Sequence, residues 1–285
     1  MFGQLTENDF NSPHRDGTRT LEDCMRSEGV DIETLKNGTK LLDASLMAYW
    51  LELHIEQGPI LISRDKPVGI VTGIRGNHRH RRVVCYGEAA HSGAVPRWLR
   101  HDAVLAMADL MVRIDEHWRV LLEWGEDLVV TTRIVETNAK EHAVSRVPGE
   151  VSFALEYRSQ DLKTLKSFET LIQSECEQVS NKRGVHFDLG VPSLTQPATM
   201  SSEMILLLQS VCESQSVSHE VMASGAGYDS SVFANVGIPS GMVFVRNDKG
   251  SHNPDEAMEY SDFFLAAKVL GGAMLAIAND KAEDC

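Results

Sequence analysis

From Arg82 to about Leu189 the chain alternates strand-like and helix-like stretches in one regular order, and that order limits the possible folds sharply. Val83 to Glu88 reads as a strand. Asp102 to Trp118 carries Ala103, Met107, Leu110, Met111 and Ile114 at helical spacing, and Leu128 to Val135 is again a strand. Val151, Phe153, Leu155 and Tyr157 alternate along Glu150 to Arg158, Leu162 to Ser180 is a helix, and Val185 to Leu189 closes the series as a strand. The order βαββαβ is that of a ferredoxin-like sandwich, one antiparallel sheet with two helices on one face. Such a unit can stand alone as an inserted domain.

The flanks have a different character. Leu21 to Glu28 reads as a short helix, Gly29 to Ile32 and Leu41 to Ala48 as further helical stretches, Ile60 to Arg64 as a helical turn and Val68 to Ile74 as a strand. Beyond Pro192 come a helix from Ser202 to Ser214, a glycine-rich turn from Ser224 to Asp229, a strand from Ile238 to Val245 and a last helix from Ser261 to Ala278, with Tyr260-Ser261-Asp262 as its start. The expected layout is an α/β outer domain, residues 1–75 plus 191–285, interrupted by an insert at 76–190. Arg75 to Arg82, with four arginines and two histidines, is expected as a solvated loop.

Lys and Arg total 27 against 41 Asp and Glu, a net charge of −14, which argues against a nucleic-acid or anionic-membrane partner. Cys24, Cys85, Cys176, Cys212 and Cys285 are scattered with no Cys-x-x-Cys pair, as in reduced cytoplasmic proteins. No apolar run is expected to reach the roughly 20 residues of a membrane helix, and Met1 to Pro13 lacks a signal-peptide core. A soluble cytoplasmic protein is the expectation.

Two segments carry chemistry. In Glu52-Leu53-His54-Ile55-Glu56-Gln57-Gly58-Pro59, residues 50, 52, 54 and 56 share one strand face, so an imidazole and two carboxylates sit where the strand breaks at a turn. Far downstream, the apolar run ending at Val245 gives way to Gly250-Ser251-His252-Asn253-Pro254-Asp255-Glu256. His54 and His252 suggest a single metal site, although a zinc enzyme needs more than two ligands. His91 lies on a loop of small residues, Gly87 to Gly93. Arg158 ends an alternating strand and could clamp a carboxylate.

Taken in order, these segments resemble the zinc-dependent N-carbamoyl-L-amino-acid hydrolases, with the allantoate amidohydrolases and β-ureidopropionases, of the aminoacylase/carboxypeptidase G superfamily. Glu52 to Pro59, Gly87 to Gly93 with Arg100-His101-Asp102-Ala103, Val147-Pro148-Gly149-Glu150-Val151 leading to Arg158, and Ser251-His252-Asn253-Pro254 with Glu256 carry the resemblance. It implies a zinc-peptidase-like catalytic α/β domain with an inserted dimerisation lid, acting as a homodimer. The implied reaction is two-metal hydrolysis (zinc, or manganese, cobalt or nickel) of a carbamoyl or ureido C–N bond in a small amino-acid derivative. His54 and His252 would be metal ligands and His91 would stabilise the oxyanion, in the family typically across a dimer. Gln57, Arg158, Ser145 and Tyr228 would contact substrate. Ser145 stands where the family usually has asparagine, and Tyr228 where it commonly has histidine. The family's His-x-Asp motif, bridging aspartate and Glu-Glu pair are not found ahead of His54; His14-Arg15-Asp16 has the spacing but lies in a polar loop. The expectation is a truncated family member, weakly active or inactive alone. The alternative is a non-catalytic dimeric binding or scaffold protein derived from such an enzyme.

Overall fold

Strands form in this chain where apolar residues either alternate, as in Val151-x-Phe153-x-Leu155-x-Tyr157, or run unbroken, as in Gly241-Met242-Val243-Phe244-Val245, and the two patterns build two different sheets. The computed structural model describes residues 2–14 and 16–283, with side chains to residue 279. Arg15, in the His-x-Asp-spaced tripeptide, and Cys285 lie outside the described residues.

The elements are α1 (Glu7–Phe10), α2 (Leu21–Ser27), α3 (Ile32–Lys36), β1 (Trp50–Ile55), α4 (Ile60–Ser63), β2 (Val68–Ile74) and β3 (Gly76–Tyr86). There follow β4 (Ala90–His91), α5 (Ala103–Glu123), β5 (Val129–Thr137), β6 (Arg146–Val147), β7 (Glu150–Ser159), α6 (Leu162–Arg183), β8 (His186–Asp188), β9 (Ser193–Thr195) and β10 (Ala198–Thr199). The last are α7 (Ser202–Ser214), β11 (His219–Ser224), α8 (Asp229–Asn235), β12 (Ser240–Val245) and α9 (Tyr260–Glu283).

The first sheet draws on both flanks of the sequence. β1 pairs in parallel with β12, β12 runs antiparallel to β2, and β2 also carries β11 in parallel and β10 antiparallel. Val68, Ile70, Val243 and Val245 pack beneath Leu208, Val211, Ala266, Val269 and Ala273 of α7 and α9. On the opposite face Val71, Met242 and Phe244 pack with Leu61, Met222 and Tyr228. Burial on both faces explains the unbroken apolar run of β12.

The second sheet has the order β5-β7-β3-β8, antiparallel throughout, with β9 also on β3. α5 and α6 cover one face over Val83, Cys85, Phe153, Leu155 and Tyr157. This is the βαββαβ topology read from the alternation. Pairing of Ser193–Thr195 with β3 carries the sheet past residue 190.

Three local readings are corrected. Arg75 to Arg82 is not a solvated loop: residues 76–82 belong to β3, whose His78 and His80 are buried, 4% and 2% exposed, while arginines point to the other face. The His80/Val83 bulge interrupts the alternation, so the strand begins well before the apolar run that announces it. Leu41 to Ala48 holds a 3₁₀ turn at Ala44–Leu46 instead of a helix, because its leucines find no core: Leu41 is 58% exposed and Leu46 84%. Finally, one helix does reach membrane-spanning length and apolarity: Tyr260–Asn279 of α9 passes by length and composition, yet packs on the first sheet through Ala266, Val269 and Ala273.

Candidate active site

Because β1 and β12 are parallel and in register, Ile55 lying beside Val245, the chain leaves both strands at the same end of the sheet. Carboxyl ends of neighbouring parallel strands are where α/β sheets present side chains to ligands. Gln57 and His252, some 195 positions apart in sequence, meet there, Gln57 Nε2 lying 3.2 Å from His252 Nε2 and 3.0 Å from Ser251 Oγ. The Gln57 backbone N–H donates to Asn247 Oδ1 at 3.0 Å, tying the two strand ends together. Both Gln57 and His252 adopt left-handed backbone, φ 59° in each case, which turns their side chains sharply out of the strand direction.

His54 lies on β1 just before this turn. Its Nδ1 is 2.9 Å from the Ile55 carbonyl oxygen. A carbonyl only accepts, so Nδ1 carries the proton and Nε2 keeps its lone pair in the neutral ring. The ring packs edge-on against Tyr228, centroids 4.6 Å apart. Tyr228 itself is 8% exposed and donates its hydroxyl to the carbonyls of Glu56 (3.1 Å) and Ile55 (3.3 Å). Burial pushes its phenol well above the usual range, so it is a neutral wall behind His54.

The carboxylates flanking His54 are engaged elsewhere. Glu52 accepts from the Ser230 N–H (2.8 Å) and hydroxyl (2.6 Å) at the start of α8. Glu56, buried, accepts from the Ile60 (2.7 Å) and Leu61 (2.8 Å) N–H groups at the start of α4. Both serve as anionic acceptors for helix-terminal amides. His252 Nε2 faces the Gln57 amide nitrogen, which donates, so its lone pair is taken as well. Among the described residues no group of three or more His, Cys, Asp or Glu could hold a metal ion. A catalytic zinc takes three protein ligands and a water. His54 and His252 alone do not complete such a site.

Arg158 comes from the second sheet and crosses to this region. Its Nη1 donates to the Gly225 carbonyl at 2.5 Å, three residues before Tyr228, and its Nε and Nη2 hold Glu156 Oε1 at 2.6 and 2.5 Å. The remaining N–H groups are available to an anion.

His91 and Ser145 are brought together, but elsewhere. β4 and β6 form a short ribbon in which His91 lies opposite Arg146, and the Ser92 N–H donates to the Ser145 carbonyl at 2.8 Å. His91 Nδ1 accepts from the Gly93 and Ala94 N–H groups, both at 3.1 Å, which fixes the neutral tautomer with its proton on Nε2. Along β3 the register runs from Asn77 beside Arg158 to Tyr86 beside Glu150. That length of strand separates the two pairs by roughly 30 Å, so within one chain His91 lies at the far end of the second sheet from Arg158. The structure therefore gathers His54, Gln57, Tyr228 and His252 with Arg158 at their edge, and holds His91 and Ser145 apart from them.

Reading the sequence missed Glu156, which holds the Arg158 guanidinium, Arg79 and Arg133, which pair with the same Glu156 carboxylate, and Asn247, which braces the Gln57 turn. A carboxylate two residues before Arg158 on the same strand face was the available signal for the first group.

The chain matches peptidase family M20/M25/M40 over residues 20–276. It is 29% identical over 282 residues to the allantoate amidohydrolase of Escherichia coli, covering 97% of this chain and 67% of that protein. It is 28% identical to an N-carbamoyl-L-amino-acid amidohydrolase of a Pseudomonas species, covering 95% and 64%. A solved amidase of the hydantoinase/carbamoylase family from Burkholderia multivorans superposes with a TM-score of 0.80 at 25% identity, over 96% of this chain and 64% of that one. The chain thus spans about two thirds of the length of these relatives.

Proposed function

The chain belongs to peptidase family M20/M25/M40, and from that premise we propose that its site binds a small acidic substrate whose carbamoyl or ureido C–N bond the family's chemistry hydrolyses, with metal ligands beyond His54 and His252 needed for the hydrolysis itself. The observation that carries this reading is the meeting of His54, Gln57 and His252 at the shared end of β1 and β12, with Arg158 reaching in from the second sheet. The relatives' names, allantoate and N-carbamoyl-L-amino-acid amidohydrolase, supply the substrate class.

In this reading Arg158 holds the substrate carboxylate with the N–H groups left over from Glu156 and Gly225. Gln57 orients the substrate beside His252. His54, its Nδ1–H directed at the Ile55 carbonyl, receives a proton or a cation at Nε2. His91 offers an N–H that would polarise the scissile carbonyl oxygen. Since that donor is far from Arg158 within one chain, the segment 76–190 acts as a lid and dimerisation domain, and a second copy supplies His91 and Ser145. The family's zinc or manganese needs ligands beyond His54 and His252, so the tasks assigned to these residues are binding, carbonyl polarisation and proton handling. The free cysteines fit a cytoplasmic setting: burial pushes Cys85 and Cys176 up to about 12 and Cys212 up to about 11, leaving them unreactive thiols.

Equilibrium dialysis of an N-carbamoyl-L-amino acid or allantoate against the purified chain tests the reading. Saturable binding is expected, weakened about tenfold or more in Arg158→Gln because a charged hydrogen-bond pair is lost. Absence of binding by every carbamoyl and ureido acid offered, or identical binding by Arg158→Gln, contradicts it.

A further inference from the structure

The second sheet has one face covered by α5 and α6 and one free of helices, and on the free face three guanidiniums converge on one buried carboxylate. Glu156 is 3% exposed. Arg79 grips it from β3 through Nε at 3.1 Å and Nη2 at 3.2 Å, Arg158 through Nε at 2.6 Å, and Arg133 of β5 pairs with its Oε2. The strand register requires this meeting, since Arg79 lies opposite Glu156 and Arg133 opposite Ala154 on the same face of β7. Among the described residues none of the three arginines has a second carboxylate within ion-pair distance. Three positive charges against one negative leave two uncompensated.

That excess is unusual in a chain of net charge −14, where a spare arginine would ordinarily find an acidic neighbour. It is also placed to matter. Glu156 occupies the inner edge of all three guanidiniums and fixes their planes, while their side chains stay partly open to solvent, at 34% for Arg79, 43% for Arg133 and 28% for Arg158. Pre-oriented, partly desolvated guanidiniums bind carboxylates far better than flexible exposed ones. The cluster is tied to the candidate active site through the Arg158 contact with Gly225.

We propose that Arg79 and Arg133 form, beside Arg158, a subsite for a second acidic group, so that the ureido or carbamoyl acid recognised by this chain is a dicarboxylate. This rests on the reading of Arg158 as the carboxylate-binding residue. Arg158 takes the carboxylate nearest the reacting carbon, and Arg79 with Arg133 takes the one borne by the side chain. A monocarboxylate leaves one positive charge of the cluster unanswered.

The test uses succinate and propionate as probes, which require no hydrolysis and no ureido group. Titration of the intact chain at about 0.15 M salt, where surface attraction is screened, should show succinate binding about tenfold tighter than propionate. Arg79→Gln and Arg133→Gln should each bring the two probes to within about threefold, and Arg133→Lys should keep part of the preference. Melting curves check that the variants fold; if a glutamine variant does not, the wild-type ratio and Arg133→Lys still decide. Equal affinity for succinate and propionate in the wild type, or a preference that survives both glutamine variants, overturns the proposal. Failure to bind N-carbamoyl-L-aspartate while succinate still wins would count against the wider functional reading and leave this subsite standing.

Discussion

Single residues in this protein do two kinds of work that their types do not announce. Glu56 is legible as one of two carboxylates beside His54, yet it holds two amides of α4, and α4 is too short to form without it. Glu56→Ala should lower stability by about 2 kcal/mol, the cost of stranding the buried Leu61 N–H and the half-buried Ile60 N–H, as read from urea unfolding; a loss under about 0.5 kcal/mol would show the amides are satisfied otherwise. Tyr228 reads as a substrate contact, but its hydroxyl is taken by backbone carbonyls; no sequence pattern reveals a partner 172 positions away. Glu156 is the opposite case. Burial raises its carboxyl, but the hydrogen bond from Arg79 and the charges of Arg158, Arg79 and Arg133 outweigh it and hold the group below its ordinary 4.5. A depressed carboxyl adds stability that is complete above the unfolded value and lost as pH falls through the folded one. Wild-type stability should therefore drop as pH falls below about 4.5, and Glu156→Gln should flatten that slope while costing about 3 kcal/mol at neutral pH. An unchanged slope would remove Glu156 from the account.

Elements were legible where periodicity was clean and hidden where it was not. β7 and α5 follow directly from alternation and helical spacing, and both were readable. Of β3 only the part from Val83 was readable, because its buried positions before the bulge include His78 and His80, whose polarity masks a strand that faces the core. β11 carries only Met222 and Ser224 as buried residues, too few for a pattern. The bulge in β5 puts Ile134 at φ 53°, a region a β-branched residue enters only at a cost. Ile134→Gly should stabilise the protein by about 1 kcal/mol, and a loss of stability would show that the exposed Ile134 side chain is packed in solution. At the junction of the two sheets, a methyl group added to Gly76 would stand 2.4 Å from the Thr195 carbonyl oxygen and 2.5 Å from Pro197 N. Backbone on both sides cannot yield, so Gly76→Ala should cost about 1–3 kcal/mol, and a neutral result would mean that β3 and the β9–β10 connection separate readily.

At the level of the whole molecule, one antiparallel sheet made from the middle of the chain carries Arg158 to the Gly225 loop beside a mixed sheet made from the two flanks. The segment pattern foretold one sheet from the middle of the chain and one from its flanks, and the two strand-end segments read as carrying chemistry meet through Gln57 and His252. What stayed hidden is the set of contacts across the join, since Gln57 with His252 and Arg158 with Gly225 pair residues whose neighbours in sequence say nothing of each other. The join of the two sheets is proposed to bind a ureido or carbamoyl acid, while among the described residues His54 and His252 do not complete the ligand set that a catalytic cation requires. Calorimetric titration of the purified chain with N-carbamoyl-L-aspartate, in the presence of zinc or manganese, reads both parts at once. A saturable heat of binding with no sustained heat of hydrolysis is expected; either no binding heat, or continuous turnover at the rate of the longer relatives, would contradict it.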